Sequence, residues 1–286
     1  MRIALYGRNL SEEIRATTQT LISALSKSDV EVVLHKNLAE ASPGGIDLFG
    51  NGDELKNKTD ILLSLGGDGT ILDTVTMVRD TEIPVLGINL GRLGFLSSRS
   101  TDNLESTVEA LTKKHFQIDR RCLLKVEANH PMFGKDNFGL NEFTLQRKDT
   151  SSMITIHTYL NGELLNSYWA DGLILATPTG STGYSLSCGG PIIYPSSKSL
   201  IITPVAPHNL NVRPIVVPDD SVLTFMVEGR GEQFLSTLDS RVEEISSDFE
   251  IAVRKAEFDF CLIRLDDSSF LNAIREKLLW GADKRN

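Results

Sequence analysis

Between Arg2 and His115 short apolar runs alternate with amphipathic segments, and after Phe116 that alternation stops. This switch constrains the fold more than any other feature of the chain. "RIALYG", "VEVVLHK", "DILLSL" and "IPVLGIN" read as strands. The third is a continuous apolar run of the kind buried on both faces of a sheet. "SEEIRATTQTLISALSK" sets Ile14, Thr18, Leu21, Ile22 and Leu25 at helical spacing. Ser11 stands as its N-cap, with Ile14 where a capping box needs Glu or Gln. "TILDTVTMVRD" and "STDNLESTVEALTKKH" are further helices, the last with Leu104, Val108 and Leu111 on one face. Strand alternating with helix predicts a doubly wound α/β domain around a parallel sheet. "NLAEASPGGIDLFGNGDELKNK" is polar and glycine-rich and predicts an irregular connection.

From 116 to 262 the pattern becomes alternating strand runs, among them "RRCLLKVEAN", "FGLNEFTLQR", "MITIHTYLNGELLNSYWADGLILATP", "RPIVVPDDSVLTFMVEG", "EQFLSTLDSRVEEI" and "DFEIAVRKAEFDFCLIRL". "NGEL" and "PDDS" are turn signals. This half predicts two packed β-sheets, a β-sandwich. Helical spacing returns in "SSFLNAIREKLLWG", with Phe270, Ile274, Leu278 and Leu279 on one face. No other helix in the β half is available to pair with it. The expected organisation is therefore an N-terminal domain at 1–115, completed by a returning segment at 263–286, and a C-terminal domain at 116–262.

Bulk properties narrow the function. The 286 residues, 41% hydrophobic and 23% charged, suit a soluble globular protein of one large or two ordinary domains. A formal net charge of −9 argues against a nucleic-acid-binding face. No apolar stretch approaches the roughly 20 residues that span a bilayer. "MRIALYGRNL" lacks the apolar core of a secretory signal, so a cytoplasmic location is expected. Cys122, Cys188 and Cys261 are odd in number and far apart, and read as packed thiols. The five histidines have no paired metal-ligand spacing; only His208, in "TPVAPHNL", lies near other notable residues.

Three loops carry the chemistry. "SLGGDGTIL" places Asp68 among Gly66, Gly67 and Gly69 at the carboxyl end of a strand, where open α/β sheets bind ligands. Amides there and the following helix N-terminus suit phosphate. The loop has neither the Gly-Lys-Ser/Thr ending of a Walker A loop nor the dinucleotide G-x-G-x-x-G. Asp68 is either a turn-former or a working carboxylate that takes a hydroxyl proton or helps hold Mg²⁺. "GINLGRLGFL" repeats the geometry with Gly87, Gly91 and Gly94. Its Phe95 is either core or a face for a flat ring, and Arg92 is the one evident cation in the glycine loops. The densest cluster is "YWADGLILATPTGSTGYSLSCGGPII", Tyr168 to Ile193, whose hydroxyls and successive amides suit phosphate and ribose, the amides as an anion nest. Asn141 and Glu142 in "GLNEFTL" are either a strand end at the surface or a bidentate grip on ribose hydroxyls.

Taken together, GGDGT at 66–70, LGFL at 93–96, NE at 141–142, DGLILATPTGSTGYSLSCGGP at 171–191, PVAPHNLNVRPIVV at 204–217 and the terminal REKLLWG resemble the NAD kinase family in order and spacing along nearly the whole chain. GGDG also occurs in phosphofructokinases and in diacylglycerol and sphingosine kinases; the long loop from Asp171 is the specific element. The resemblance implies an α/β domain, a β-sandwich and an NAD site between them. It also implies NAD and ATP as substrates, and a homodimer or homotetramer. By resemblance, Asp68 is the proton acceptor, with Gly69 beside it on the dinucleotide. Phe95 and Tyr184 lie near adenine, and Asn141 and Glu142 hold the adenosine ribose whose 2′-hydroxyl is phosphorylated. Asp171 and Thr179 face the nicotinamide side. Thr182, Gly183, Tyr184 and Ser187 line the loop, and Ala206 and Arg241 are further contacts. Mg²⁺ is expected on the donor phosphates, with no protein ligand assigned. Gly183 stands where the family usually has Ala, Trp169 where a basic residue is frequent, and Arg241 where Gln or another polar residue is frequent. Two other readings compete: a lipid kinase of the diacylglycerol or sphingosine type, and a nicotinamide-nucleotide sensor that lost the chemistry.

Overall fold

The computed structural model describes residues 1–280 apart from positions 43, 92–93, 98, 149–151, 232 and 266–268. Two units make up the chain: Met1–Arg120 with Phe260–Asn286, and Arg121–Asp259. The composition switch after Phe116 falls just before the first strand that leads from one unit into the other.

The first unit opens with β1 (Arg2–Gly7), α1 (Glu12–Ser26), β2 (Glu31–His35), β3 (Asp47–Phe49), β4 (Ile61–Leu65), α2 (Asp68–Val78), β5 (Val85–Asn89), β6 (Arg99–Ser100) and α3 (Leu104–Thr112). Strands β3-β2-β1-β4-β5 stand in that order, all parallel, and β6 pairs in parallel with β5. Every residue of β4 and β5 is buried, as a sheet covered on both faces requires. The helices bury the predicted stripes, Ile14, Leu21 and Leu25 on α1 and Leu104, Val108 and Leu111 on α3, against Ile3, Leu5, Leu63 and Ile88. Ser11 caps α1 through one bond from the Ile14 amide, 3.2 Å.

The predicted irregular connection holds two 3₁₀ turns, Lys36–Ala41 and Gly52–Glu54, and also the edge strand β3. Three residues are too few to display a period. What anchors them is Phe49, fully buried and edge-on to the His35 ring at 5.1 Å.

The second unit comprises most of β7 (Gln117–Ala128), then β8 (Phe138–Gly139), β9 (Glu142–Arg147), β10 (Ile154–Leu160), β11 (Glu163–Ala170), β12 (Gly172–Ala176), α4 (Tyr184–Ser187), β13 (Ser199–Val205), β14 (Ile215–Pro218), β15 (Leu223–Glu228), β16 (Phe234–Leu238), β17 (Arg241–Ile245) and most of β18 (Glu250–Arg264). One antiparallel sheet has the order β14-β13-β12-β9-β16-β17. The other runs β11-β10-β15-β18, with β7 beside β18 and β8 beside β7. Phe143, Leu145, Leu173, Leu175 and Phe234 from the first sheet meet Ile154, Ile156, Phe225 and Val253 from the second in one core. Phe143 and Phe225 stand 5.9 Å apart across it. The alternation read in the sequence is the inward face of each sheet.

Strand β18 begins in the second unit and ends in the first, where Leu262 pairs in parallel with Val85 of β5. It is followed by α5 (Phe270–Leu278), which belongs to the first unit. Of its predicted face, Ile274 is buried and Phe270 and Leu278 are half-buried; only Leu279 departs. Ala273 and Ile274 are buried, while Leu279 is 70% exposed, because it ends the helix in a left-handed conformation, φ +54°.

Candidate active site

In the first unit the chain leaves β4 through Gly66, at φ +147°, and Gly67 caps α2. Asp68 is the first residue of the helix, two positions earlier than the apolar pattern predicts. An acid in a first turn is favoured by the helix dipole. Its side chain, however, faces the second glycine loop. Oδ1 accepts from the Leu96 amide (3.1 Å), the Ser97 amide (2.9 Å) and Ser97 Oγ (3.0 Å), and Oδ2 accepts from the Phe95 amide (2.8 Å). The carboxylate thus ties the two loops together. The glycine at position 94 makes room for it: a Cβ there would lie 1.8 Å from Asp68 Oδ1.

Two cations reach this site from distant parts of the chain. Arg8, just past β1, holds Asp73 through Nε and Nη2, both at 2.7 Å, and donates to the Gly69 carbonyl at 3.1 Å. Lys277 on α5 places Nζ 3.7 Å from Asp68 Oδ2 and 4.7 Å from the centroid of the Phe95 ring. Phe270 lies against the same ring at 6.3 Å. Asp68, Gly69 and Phe95 are therefore together, joined by Arg8 and, from the terminal REKLLWG segment, by Lys277, neither of them assigned to the site by the sequence analysis. Arg92 lies outside the described residues.

In the second unit Asn141 and Glu142 open β9. Asp239, in the β16–β17 turn at φ +52°, folds back beneath them. Its carboxylate accepts from the amides of Leu140 (2.8 Å), Asn141 (2.7 Å) and Glu142 (3.2 Å). The Thr177–Tyr184 loop is joined to the same strand end: Thr177 Oγ1 donates to the Leu140 carbonyl at 2.6 Å, and the Thr177 amide to the Asn141 carbonyl at 2.9 Å. A Cβ at Gly180 would sit 2.1 Å from that Asn141 oxygen, so only glycine allows this approach. A Cβ at Gly183 would stand 3.1 Å from Glu142 Oε2.

Asn141 Oδ1 and Glu142 Oε2 are both buried, with no hydrogen-bond partner among the described residues. Such acceptors are rare, and each asks for a donor from outside. Burial first, and then the neighbouring Asp239 carboxylate, push the Glu142 carboxyl up to about 8, with the Tyr184 amide opposing. Burial raises Asp239 as well, but its three amides and Arg241 pull it back. Burial thus favours the protonated form at both carboxyls of this pair.

The loop itself differs from the expected anion nest. The Gly180 amide donates to Thr177 Oγ1, the Ser181 amide to the Thr177 and Pro178 carbonyls and the Gly183 amide to the Gly180 carbonyl, so all three are used within the loop itself. Thr179 is buried and accepts from Arg121, itself 6% exposed, at 3.2 Å. Thr182 Oγ1 donates to the Thr179 carbonyl. Tyr184 keeps its ring 39% exposed, and its hydroxyl accepts from Gln146 Nε2 at 3.1 Å. Ser187 is exposed on α4. Asp171 pairs with Arg147 at 3.0 Å, and its amide donates to the Val205 carbonyl, next to the exposed Ala206 at φ +44°. Arg241 is turned inward: it donates to the carbonyls of Asp136 and Phe138. Trp169 stacks obliquely on His208, centroids 4.2 Å apart. Asp239 and Arg121 were not singled out from the sequence. The local sequence carries no signal for either: an aspartate in a turn and an arginine in a strand run are common.

Known proteins match along the whole chain. The model of the ATP-NAD kinase N-terminal domain matches residues 3–116, and that of the ATP-NAD kinase C-terminal domain residues 140–265. The NAD kinase of Cytophaga hutchinsonii is 44% identical over 293 residues, covering all of both chains. The NAD kinases of Flavobacterium psychrophilum and Bacteroides fragilis are 44% and 38% identical, again over both full lengths. Among solved structures, an NAD kinase from Archaeoglobus fulgidus in complex with ATP superimposes with a TM-score of 0.77 at 26% identity, covering 98% of this chain and 99% of that one. Yeast NADH kinase complexed with NADH shares the fold, with a TM-score of 0.88 at 23% identity, over 100% of this chain and 89% of that one. With relatives this similar over their full lengths, and both halves matched by the family's two domain models, the chain belongs to the NAD kinase family.

Proposed function

We propose that the chain transfers the γ-phosphoryl group of ATP to the 2′-hydroxyl of the adenosine ribose of NAD, giving NADP and ADP. The observation that carries this reading is the pair of buried, unpartnered acceptors, Asn141 Oδ1 and Glu142 Oε2, on adjacent residues. Vicinal ribose hydroxyls are two donors on adjacent carbons, one for each of these acceptors. Protonated, Glu142 is a neutral partner that also has a proton to offer. In the transfer the 2′-O–H bond breaks and an O–P bond forms, while the bond from the γ-phosphorus to the bridging oxygen breaks. Asp68 takes the proton at Oδ2, the oxygen with only one amide donor, and passes it to solvent.

The family resemblance assigns Tyr184 and Phe95 to the adenine and Gly69 to the dinucleotide. Asp171 and Thr179 take the nicotinamide side, with Thr182, Gly183, Ser187 and Ala206 along the wall. Arg241 acts indirectly, by holding the 136–138 backbone beside Asp239. A divalent cation, which we take to be Mg²⁺, would supply charge neutralisation to the donor phosphates. We place the enzyme in the cytoplasm, in keeping with its three thiols; among the described residues no helix is long and apolar enough to cross a membrane. A homodimer or homotetramer fits the apolar side chains exposed on outer strands, such as Val216 and Val242. The lipid-kinase and sensor alternatives find no support in the relatives.

The test is incubation with NAD, ATP and Mg²⁺, coupled to an NADP-specific dehydrogenase. NADP formation is expected; no product with any phosphoryl donor would return the protein to the sensor reading.

A further inference from the structure

We propose that Lys277 is a catalytic residue of this phosphoryl transfer, and that its ammonium leaves Asp68 for a phosphate oxygen of bound ATP. This rests on the function proposed above. It concerns a helix that lies beyond residue 265, where the matched family domain ends.

The position of Nζ is that of a charge held close to the reaction without being engaged there. At 3.7 Å from Asp68 Oδ2 it is too far for a hydrogen bond, and its second neighbour is the face of the Phe95 ring at 4.7 Å. Asp68 does not need it for orientation. Three amides and one hydroxyl already fix the carboxylate, at 2.8–3.1 Å. An ammonium has three protons to donate, and a phosphate oxygen is a stronger acceptor than a ring face.

The other cation of the site is less available. Arg8 is fixed by two bonds to Asp73 and one to the Gly69 carbonyl. The loop around Asp68 has no lysine or arginine of its own. Phosphoryl transfer proceeds mainly by positioning and neutralising charge, so an adjacent mobile cation has an evident task. Helix α5 is anchored by buried Ala273 and Ile274 and by Phe270 against Phe95. The four-carbon stem then lets the ammonium travel while the helix stays.

The experiment compares the full-length wild type with Lys277→Met, Lys277→Gln and Lys277→Arg, measuring kcat, both KM values and thermal melts. The two neutral variants are expected to lose about tenfold to a thousandfold in kcat. KM for NAD should stay within about twofold, melting temperatures should be unchanged, and Lys277→Arg should restore most of the rate. Full turnover in either neutral variant overturns the proposal. So does an equal loss in Lys277→Arg, or a loss that tracks falling melting temperature across the three; each would mean that the side chain only packs. A wild type that makes no NADP overturns the parent function and this inference with it. An active wild type beside an equally active Lys277→Met overturns this inference alone.

Discussion

Gly94→Ala tests the Asp68 socket at a residue that bears no chemistry. The added Cβ would lie 1.8 Å from Asp68 Oδ1, 2.7 Å from its Cγ and 2.3 Å from Ser97 Oγ. Ordinary contact begins at 3.4 Å, so Oδ1 must retreat by 3.4 − 1.8, about 1.6 Å. Ser97 Oγ can rotate away, but the carboxylate stays only by breaking its geometry. A shift of that size ends all three bonds to Oδ1 and leaves at most the Phe95 amide on Oδ2. Hydrogen bonds to a charged group contribute about 1.5–3 kcal/mol each. Water reaches this partly exposed carboxylate and replaces some of that, so a loss of about 2–4 kcal/mol is expected. Turnover should fall by the general-base factor, about a hundred- to ten-thousandfold. Gly91→Ala is the control in the same loop, since among the described residues nothing lies within 4 Å of its Cβ. Chemical denaturation gives the stability change and the coupled NADP assay the rate. In an Asp68→Ala background Gly94→Ala should cost much less, because the clashing group is gone. Wild-type turnover and stability in Gly94→Ala, or simple additivity in the double variant, would refute the socket.

Three further outcomes are expected. Asp68→Asn keeps the shape of the side chain and should retain NAD binding, measured by calorimetry, while losing about two to four orders of magnitude in turnover; near-normal turnover would make Asp68 purely structural. Tyr184→Ala should raise KM for NAD about five- to a hundredfold, the range of a lost aromatic–base stack, and KM for ATP less; equal effects on both with a lower melting point would sink the stacking role. Glu142→Gln addresses pH. The folded-state carboxyl sits at about 8 against an ordinary 4.5, so its stability contribution is fully present below about 4.5 and is lost as pH rises to about 8. The wild type should therefore lose melting temperature across that window more steeply than Glu142→Gln, and parallel curves would show that Glu142 is not held protonated.

The sequence revealed most where the information is local. The parallel sheet, the sandwich and the stripes on α1 and α3 follow from periodicity, because side chains must alternate or wind to reach a core. Strand β13 did not announce itself. It follows the glycine-rich loop directly and contains Pro204, which reads as a terminator, yet Pro204 sits in register opposite Leu173. The candidate site divides the same way. Asp68, Asn141, Glu142 and the Thr179–Tyr184 loop stand out by residue type, whereas their supports do not. Asp239 reaches the Asn141 amide from 98 residues away, and Lys277 reaches Asp68 from the last helix. No local pattern encodes a contact that the topology alone creates.

The two-part origin of the first unit also has a consequence during synthesis. Val85 on β5 acquires its partner Leu262 only after the whole sandwich has been translated. At about 5–20 residues per second, the roughly 140 residues between Arg120 and Phe260 take on the order of 7–28 s to emerge. For that interval the ribosome carries a nascent α/β sheet whose β5 flank is paired by β6 at Ile88 and Asn89 but still open at Val85, a target for holding factors and for stray strands. Lys277 arrives later still, so a ribosome that stalls within the sandwich releases a chain with its Asp68 loop made and its last cation missing.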